Sequence, residues 1–326
     1  MRIVTGLDAI TTREPTVLAV GVFDGVHIGH QRLMQRTGEL ATERQARAVA
    51  ITWWPHPLHV LRPQEPLELL TTLDQKLDML AALAVLDMAV VVPFTAELAA
   101  LPPEDLLARL QQRFDVRAMV QGPAFAFGQD GAATLDWLRG AGARAGFAVE
   151  SLDISRDGAP VSSGRIRALL HAGDVATATE LLGQPYTLEG TVALGDQRGR
   201  LLGFPTANLR LDPVRLVPAN GVYAVRVGLP GEPAPQRAGV ANIGVRPTFG
   251  ADNARLVEVH LLDATLDLYD QTLRTAFVAR LRAEQRFPNL EALQAQIAAD
   301  AAQARTLLEH ANDVPTPRHA AGEAAE

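Results

Sequence analysis

The chain has 326 residues, of which 48% are hydrophobic, and a formal net charge of −7. That length and apolar content suit two domains with a core each, and the lack of any cysteine excludes disulfides, thiolate nucleophiles and cysteine-based zinc sites. The acidic balance argues against a nucleic-acid partner; with no apolar run of about 18 residues and no apolar signal core near the start, a cytoplasmic protein without membrane contact is expected.

Thr16–Val22 (TVLAVGV) is a short apolar run that reads as a buried strand. Phe23–His30 (FDGVHIGH) follows it, and Gln31–Gln45 has helical texture. A strand, a glycine-bearing turn and a helix make the βα unit of a nucleotide-binding sheet. Further strands are expected at Ala48–Thr52, Met88–Val92, Arg117–Gln121 and Phe147–Leu152. Helices fall between them at Leu73–Leu83, Pro103–Phe114 and Gly131–Ala145. This alternation predicts an α/β fold with a doubly wound parallel sheet. Ligands of such sheets gather at the carboxyl ends of the strands, where His27, His30 and the Trp54–Pro57 turn fall. Two short helices, Ser162–His171 and Val175–Leu182, close this half.

Gly183-Gln184-Pro185 opens a different texture. Tyr186–Leu194, Gly221–Val227, Gln236–Ile243, Leu256–Leu262 and Leu273–Leu281 are β-rich runs separated by proline and glycine. They predict a small antiparallel β-barrel. Leu290–His310 repeats apolar residues at helical spacing behind Asn289, a fitting N-cap, so one C-terminal helix is expected to pack on the barrel. The expected domains are therefore 1–184 and 185–311, with residues 312–326 a disordered tail.

Two stretches carry chemistry. Gly195–Asn208 (GDQRGRLLGFPTAN) joins glycines, Arg198 and Arg200 to a Pro-Thr-Ala-Asn end. Successive backbone N–H groups in such a turn form an anion nest. In an extended segment Thr206 and Asn208 share a face, a hydroxyl and an amide oxygen suited to Mg²⁺ and its phosphates. An ordinary surface hairpin has the same composition. In His27-Ile28-Gly29-His30, two imidazoles at a helix start can donate to a phosphate where the helix dipole also favours negative charge. A metal pair or two structural histidines are the alternatives. Asp24 caps the turn or orients a histidine.

GVFDGVHIGH (21–30), TWWPHP (52–57) and SSGRIR (162–167) resemble the adenylyltransferase module of bacterial bifunctional riboflavin kinase/FAD synthetases. GRLLGFPTAN (199–208), GVYAV (221–225), NIGVRPTFG (242–250) and VEVHLLD (257–263) resemble the kinase module of the same family, in the family's order. The resemblance implies a nucleotidyltransferase-like sheet followed by a kinase barrel. It implies ATP-dependent phosphorylation of riboflavin to FMN, then adenylylation of FMN to FAD with release of pyrophosphate. Mg²⁺ is the implied cofactor, and the partners are small-molecule substrates, with no obligatory protein partner.

For the first module the resemblance implies ATP contacts at Gly21, Phe23, Asp24, His27 and His30, with Ser162, Ser163 and Arg167 closing over the phosphates. A serine pair at a helix start is also an ordinary N-cap. For the second it implies Glu258 as general base, and Thr206 and Asn208 as Mg²⁺ and phosphate ligands. Gly199, Arg200, Gly203 and Phe204 would form the flap over ATP. Asn242, Gly244 and Pro247 would lie beside the flavin, and Arg280–Phe287 (RLRAEQRF) would cover its ring. Phe287 suits anchoring of the final helix equally well. Two departures from the family pattern stand out. Gly164 replaces a threonine after the serine pair, and Pro123 and Ala124 replace two polar residues of a nucleotide-contacting loop. Each lost hydrogen bond is worth on the order of 1 kcal/mol, so an adenylyltransferase slower than the kinase is expected. A monofunctional riboflavin kinase with a decayed first module, and a flavin-binding carrier without turnover, are the competing readings.

Overall fold

The computed structural model describes residues 1–65, 67–123, 125–126, 128–195, 203–232, 234–245, 255–264 and 266–310. The expected tail, 312–326, lies outside the described residues. The chain divides into two compact units, Met1–Ser163 and a second beginning at Gly164.

The first unit holds six parallel strands: β1 (Arg2–Thr5), β2 (Pro15–Gly21), β3 (Arg47–Trp54), β4 (Met88–Pro93), β5 (Asp115–Gln121) and β6 (Ala148–Ser151). Their order in the sheet is β1-β4-β3-β2-β5-β6. Around them run α1 (Ile28–Glu43), α2 (Pro57–Leu61), α3 (Leu73–Ala82), α4 (Ala96–Ala99), α5 (Pro103–Arg113) and α6 (Leu135–Ala145). Successive strand side chains point to opposite faces. In β2, Val17 and Ala19 pack with Leu33, Met34 and Leu40 of α1 and Leu80 of α3. Leu18 and Val20 pack with Leu106, Leu107 and Leu110 of α5 and Leu138 of α6. Both faces are covered, which is why these strands read as unbroken apolar runs. β2 lies between β3 and β5. The chain winds from β2 through β3 to β4, then returns to β5 on the other side. The crevice outside the carboxyl ends of β2 and β5 is thus the switch point where such sheets take ligands. A two-stranded hairpin, β7 (Ser155–Arg156) with β8 (Ala159–Pro160), follows the sheet.

The second unit takes in α7 (Ser163–Ala172) from its second residue on and α8 (Val175–Leu182), helices that sequence pattern alone assigned to the first half. Leu170 O of α7 accepts from Ala219 N at 2.9 Å. Six strands then close a barrel: β9 (Tyr186–Ala193), β10 (Ala207–Leu211), β11 (Gly221–Gly228), β12 (Arg237–Val245), β13 (Arg255–Leu261) and β14 (Thr272–Arg282). Every pairing among them is antiparallel, in the order β10-β13-β12-β11-β14-β9. Tyr186, Tyr223 and Phe277 fill the interior, with the Tyr223 and Phe277 rings edge to face at 5.3 Å. The two tyrosine hydroxyls donate to Leu216 O and Ala219 O, so neither buried oxygen is left unpaired.

The C-terminal helix, Leu290–His310, starts with Asn289 Oδ1 accepting from Ala292 N at 2.8 Å. Its Ala301, Ala304 and Leu308 pack on Ala224, Val240 and Leu262 of the barrel wall. Arg282 pairs with the buried Asp300 at 2.8 Å. The parallel sheet, the closed barrel and the terminal helix are those expected from the sequence.

Candidate active sites

In the first unit, the loop after β2 bends sharply. Phe23 has φ 53°, Gly25 φ 80° and Val26 φ 38°. Positive φ at a β-branched residue such as Val26 is uncommon, and it persists only where surrounding contacts enforce it. Asp24, 3% exposed, supplies those contacts. Its carboxylate accepts from Leu70 N and Thr71 N, each at 3.0 Å, and from the Thr71 hydroxyl at 3.1 Å. Asp24 is therefore the tie that shapes the loop, not a free acid. The Ser163 hydroxyl donates to Asp24 O at 2.9 Å, which brings two of the expected site residues together. At Gly21 an added Cβ would lie 2.7 Å from the Phe23 ring, so this turn needs glycine.

His27 is the N-cap of α1, its Nδ1 accepting from His30 N at 3.3 Å. That hydrogen bond assigns the neutral His27 proton to Nε2. The two imidazoles stack with centroids 3.6 Å apart and planes 16° off parallel, and Phe23 meets His30 edge-on at 5.3 Å. Burial pushes His27 down to about 4, against smaller upward pulls from a backbone hydrogen bond and the Asp24 carboxylate. Burial also holds His30 well below its ordinary value, helped by His27 and then Lys76. Both rings are thus neutral at pH 7.

A stability consequence follows from the depressed His27 value. Above about pH 6.5 neither the folded nor the unfolded form carries this proton. Between there and about 4 the unfolded chain binds it and the folded chain does not, so stability falls as pH falls. At roughly 1.4 kcal/mol per pH unit, the loss at pH 5 is about 2 kcal/mol relative to His27→Asn, which keeps the cap. Denaturant unfolding of both proteins at pH 7 and pH 5 measures it. Equal pH dependence in the two would contradict the assigned burial.

Lys76 was not foreseen. It lies in α3, 1% exposed, with Nζ 3.3 Å from Thr52 Oγ1 and 5.2 Å from the Trp54 ring centroid. A single lysine in a helix normally reads as solvent-facing, and no local signal marks it otherwise. The loop after β5 contains Pro123; Ala124 and Phe127 lie outside the described residues. Ser162 is exposed just before α7, and Arg167 is half-buried in that helix.

In the second unit, β13 alternates: Val257, Val259 and Leu261 are buried, and Glu258 and His260 lie on the other, outer face. Glu258 pairs with Asn208 of β10 and with Asn242 of β12. Directly opposed residues share a face with Cβ atoms about 5 Å apart. An amide, a carboxylate and a second amide therefore run side by side across three strands of the outer wall. The half-buried Glu258 carboxylate has no hydrogen bond or ion pair among the described residues. Thr206, exposed and two residues before Asn208, joins the same face. His260 Nδ1 contacts Pro205 O at 2.8 Å and meets the Phe204 ring edge-on at 5.6 Å, which holds the Gly203–Thr206 approach against β13. A Cβ at Gly195 would overlap the Asn208 amide, so glycine is what admits that side chain. The hydroxyl, amide and carboxylate oxygens are hard donors of the kind Mg²⁺ takes; among the described residues there is no cluster of three or more His, Asp or Glu side chains fit for a metal.

The residues expected near the flavin meet several different partners. Gly244 backs onto Glu284, which accepts from Asn220 Nδ2 at 2.9 Å. The Arg280 guanidinium donates to Asn220 O at 2.6 Å and Ala172 O at 3.4 Å. Phe287 is half-buried beneath the Arg282 guanidinium at 5.7 Å, beside the Arg282–Asp300 pair that holds the final helix. Arg198, Gly199, Arg200 and Pro247 lie outside the described residues.

The family model for FAD synthetase matches residues 9–165, and that for riboflavin kinase matches residues 182–308. A bifunctional riboflavin kinase/FMN adenylyltransferase of Pseudomonas fluorescens is 38% identical over 310 residues, covering 94% of this chain and 98% of that protein. The protein of the same name from Bacillus subtilis (strain 168) is 36% identical over 292 residues, covering 87% and 90% respectively. A crystal structure of a protein from Streptococcus pneumoniae named as a macrolide-efflux protein has a TM-score of 0.85 and 27% identity, over 94% of this chain and 99% of its own. Among the described residues no helix of the present chain is long and apolar enough to cross a membrane. With both catalytic modules matched in order and relatives aligned over nearly their full lengths, the chain belongs to the bifunctional riboflavin kinase/FMN adenylyltransferase family.

Proposed function

We propose that the enzyme's two reactions run on two separate sets of residues, the His27–His30 stack in the first unit and the Asn208–Glu258–Asn242 row in the second. The enzyme phosphorylates riboflavin to FMN with ATP and adenylylates FMN to FAD with release of pyrophosphate. The match to both modules disfavours a monofunctional kinase.

In the kinase step the terminal ribityl hydroxyl attacks the γ-phosphorus of ATP, ADP leaves, and the hydroxyl proton must go to a base. Glu258 is that base in this reading, and the observation that supports it most is an uncommitted carboxylate set between two amides. Thr206 and Asn208 would hold Mg²⁺ with the ATP phosphates; the ion supplies positive charge where the phosphoryl oxygens gain negative charge. Gly203 and Phe204 would lie over ATP. Asn242 and Gly244 line the flavin side, Arg280 positions the Asn220 carbonyl there, and Phe287 forms its apolar wall.

In the adenylyltransferase step an FMN phosphate oxygen attacks the α-phosphorus and pyrophosphate leaves. The nucleophile is already anionic, so orientation and charge stabilisation are what the protein must provide. His27 and His30 donate to the phosphates as neutral imidazoles. Gly21, Phe23 and Asp24 shape their loop, and Ser162 and Ser163 would close on the same anion. The enzyme works in the cytoplasm on small molecules, without a nucleic-acid, membrane or obligatory protein partner.

Gly164, Pro123 and Ala124 each remove a polar group from the first site. With riboflavin, excess ATP and Mg²⁺, FMN is therefore expected to accumulate before FAD appears. Chromatography of the flavins over time tests this, and equal turnover of the two steps would contradict it.

A further inference from the structure

We propose that Lys76 is a positioning residue for adenylylation: a fixed, buried cation at the carboxyl ends of the strands that carry the His27–His30 loop, which draws the nucleotide polyphosphate onto the two imidazoles. The proposal rests on the assignment of that stack to the ATP phosphates.

The first turn of α3 is locked by a capping box, in which Thr72 Oγ1 accepts from Gln75 N and Gln75 Oε1 accepts from Thr72 N, each at 3.2 Å. Lys76 follows directly and projects inward. Its ammonium has three N–H groups and, among the described residues, one acceptor, the Thr52 hydroxyl at 3.3 Å. Thr52 in turn donates to Val22 O at 3.0 Å, in the loop that leads to His27. The Trp54 ring faces the ammonium at 5.2 Å. No carboxylate pairs with it among the described residues; Asp24 acts on it only at longer range, its oxygens being held by Leu70 and Thr71. A buried cation without a counter-ion is costly. Packing against Trp54 does not require one, because a methionine of similar length would fill the same space.

Through Thr52 and Val22 O the charge is tied to the loop that carries the stack. Among the described residues His30 Nδ1 is buried without a hydrogen-bond partner, and the Lys76 ammonium is one of the charges that bear on that ring. Burial lowers Lys76 to about 8, against the upward pull of Asp24, so it is charged at pH 7. Thr52, Trp54, Gly21 and the histidine loop all lie at the carboxyl ends of β2 and β3, the ligand side of the sheet. Two neutral imidazoles offer an anion only dipoles. A charge buried at the same end of the sheet adds attraction that water would otherwise screen. The same charge resists protonation of His30. The titratable groups bearing on His30 are His27 on its own loop and Lys76 from α3, with Asp24 acting on both of those.

The test compares the full-length enzyme with Lys76→Met, Lys76→Arg and His30→Ala, measuring FMN adenylylation against ATP concentration and pH, with riboflavin phosphorylation as internal control. For Lys76→Met the KM for ATP in adenylylation should rise at least tenfold, and the acid limb of the pH profile should move to higher pH. Kinase turnover should stay at the parental level and the melting temperature should not fall. Lys76→Arg, which keeps the charge, should recover part of the KM. Should Lys76→Met not fold, Lys76→Gln is read in the same way. A KM within twofold of the parent for the methionine or glutamine variant, while His30→Ala loses adenylylation, would overturn the role of Lys76 alone. Adenylylation that survives in His30→Ala as well would overturn the assignment of the stack.

Discussion

Glu258→Ala is expected to slow FMN formation from riboflavin a hundredfold or more, and to leave FAD formation from supplied FMN at the parental rate. A positioned base contributes about 10² to 10⁴ in rate, and the ribityl alcohol is too weak an acid to lose its proton to water with comparable ease. The side chain is well suited to this substitution because it has no hydrogen bond or ion pair among the described residues, so truncation strands no partner. Val257 and Val259, which hold β13 against the barrel interior, are untouched. The stability change should therefore stay within about 0.5 kcal/mol, as for surface substitutions remote from special features. Glu258→Gln keeps the shape and the hydrogen-bonding oxygen and removes the base, so it should be nearly as slow. Parental kinase turnover in either variant would mean that the proton leaves by another group.

His30→Ala should reduce FAD formation from FMN by about 10² to 10³, the range seen when one donor to a developing oxyanion is removed, and should spare the kinase. His27→Ala is expected to be as damaging but for two reasons at once. It would remove the proposed phosphate donor and also the N-cap of α1, worth about 1 kcal/mol. His27→Asn restores a capping side chain without an imidazole. If adenylylation recovers with the cap, His27 acts through the helix start; if it stays low, the ring itself is needed. Parallel loss of FMN formation in the His30 variant would point to general unfolding instead of a local role.

The residues legible in the sequence are those whose signal is local. FDGVHIGH declares itself because an apolar strand, a glycine turn and a helix start follow each other within a few residues. The barrel strands show through alternation, most clearly in β9 and β13, where every second side chain is buried. What escaped depends on contacts between distant segments. The setting of Glu258 between Asn208 and Asn242 is a matter of strand register, fixed by pairing with one residue 50 positions away and another 16 away, which local periodicity does not report. β1 was missed because only Val4 of its four residues is buried, and it gains strand character by pairing with β4. Lys76 escaped for the opposite reason: its helix reads correctly, and only the packed structure turns a charged residue inward. Arg280 and Phe287 were legible as a segment but not as roles, since carbonyls and a neighbouring guanidinium engage them in the folded chain.

Mixing the two single-site variants tests the separation of the two catalytic sets most directly. Glu258→Ala and His30→Ala are incubated with riboflavin, ATP and Mg²⁺, each alone and then together, and the flavins are resolved over time. His30→Ala alone should stop at FMN, Glu258→Ala alone should leave riboflavin largely unconverted, and the mixture should form FAD. Conversion of riboflavin to FAD at the parental rate by either variant alone, or a mixture that makes none, would contradict it.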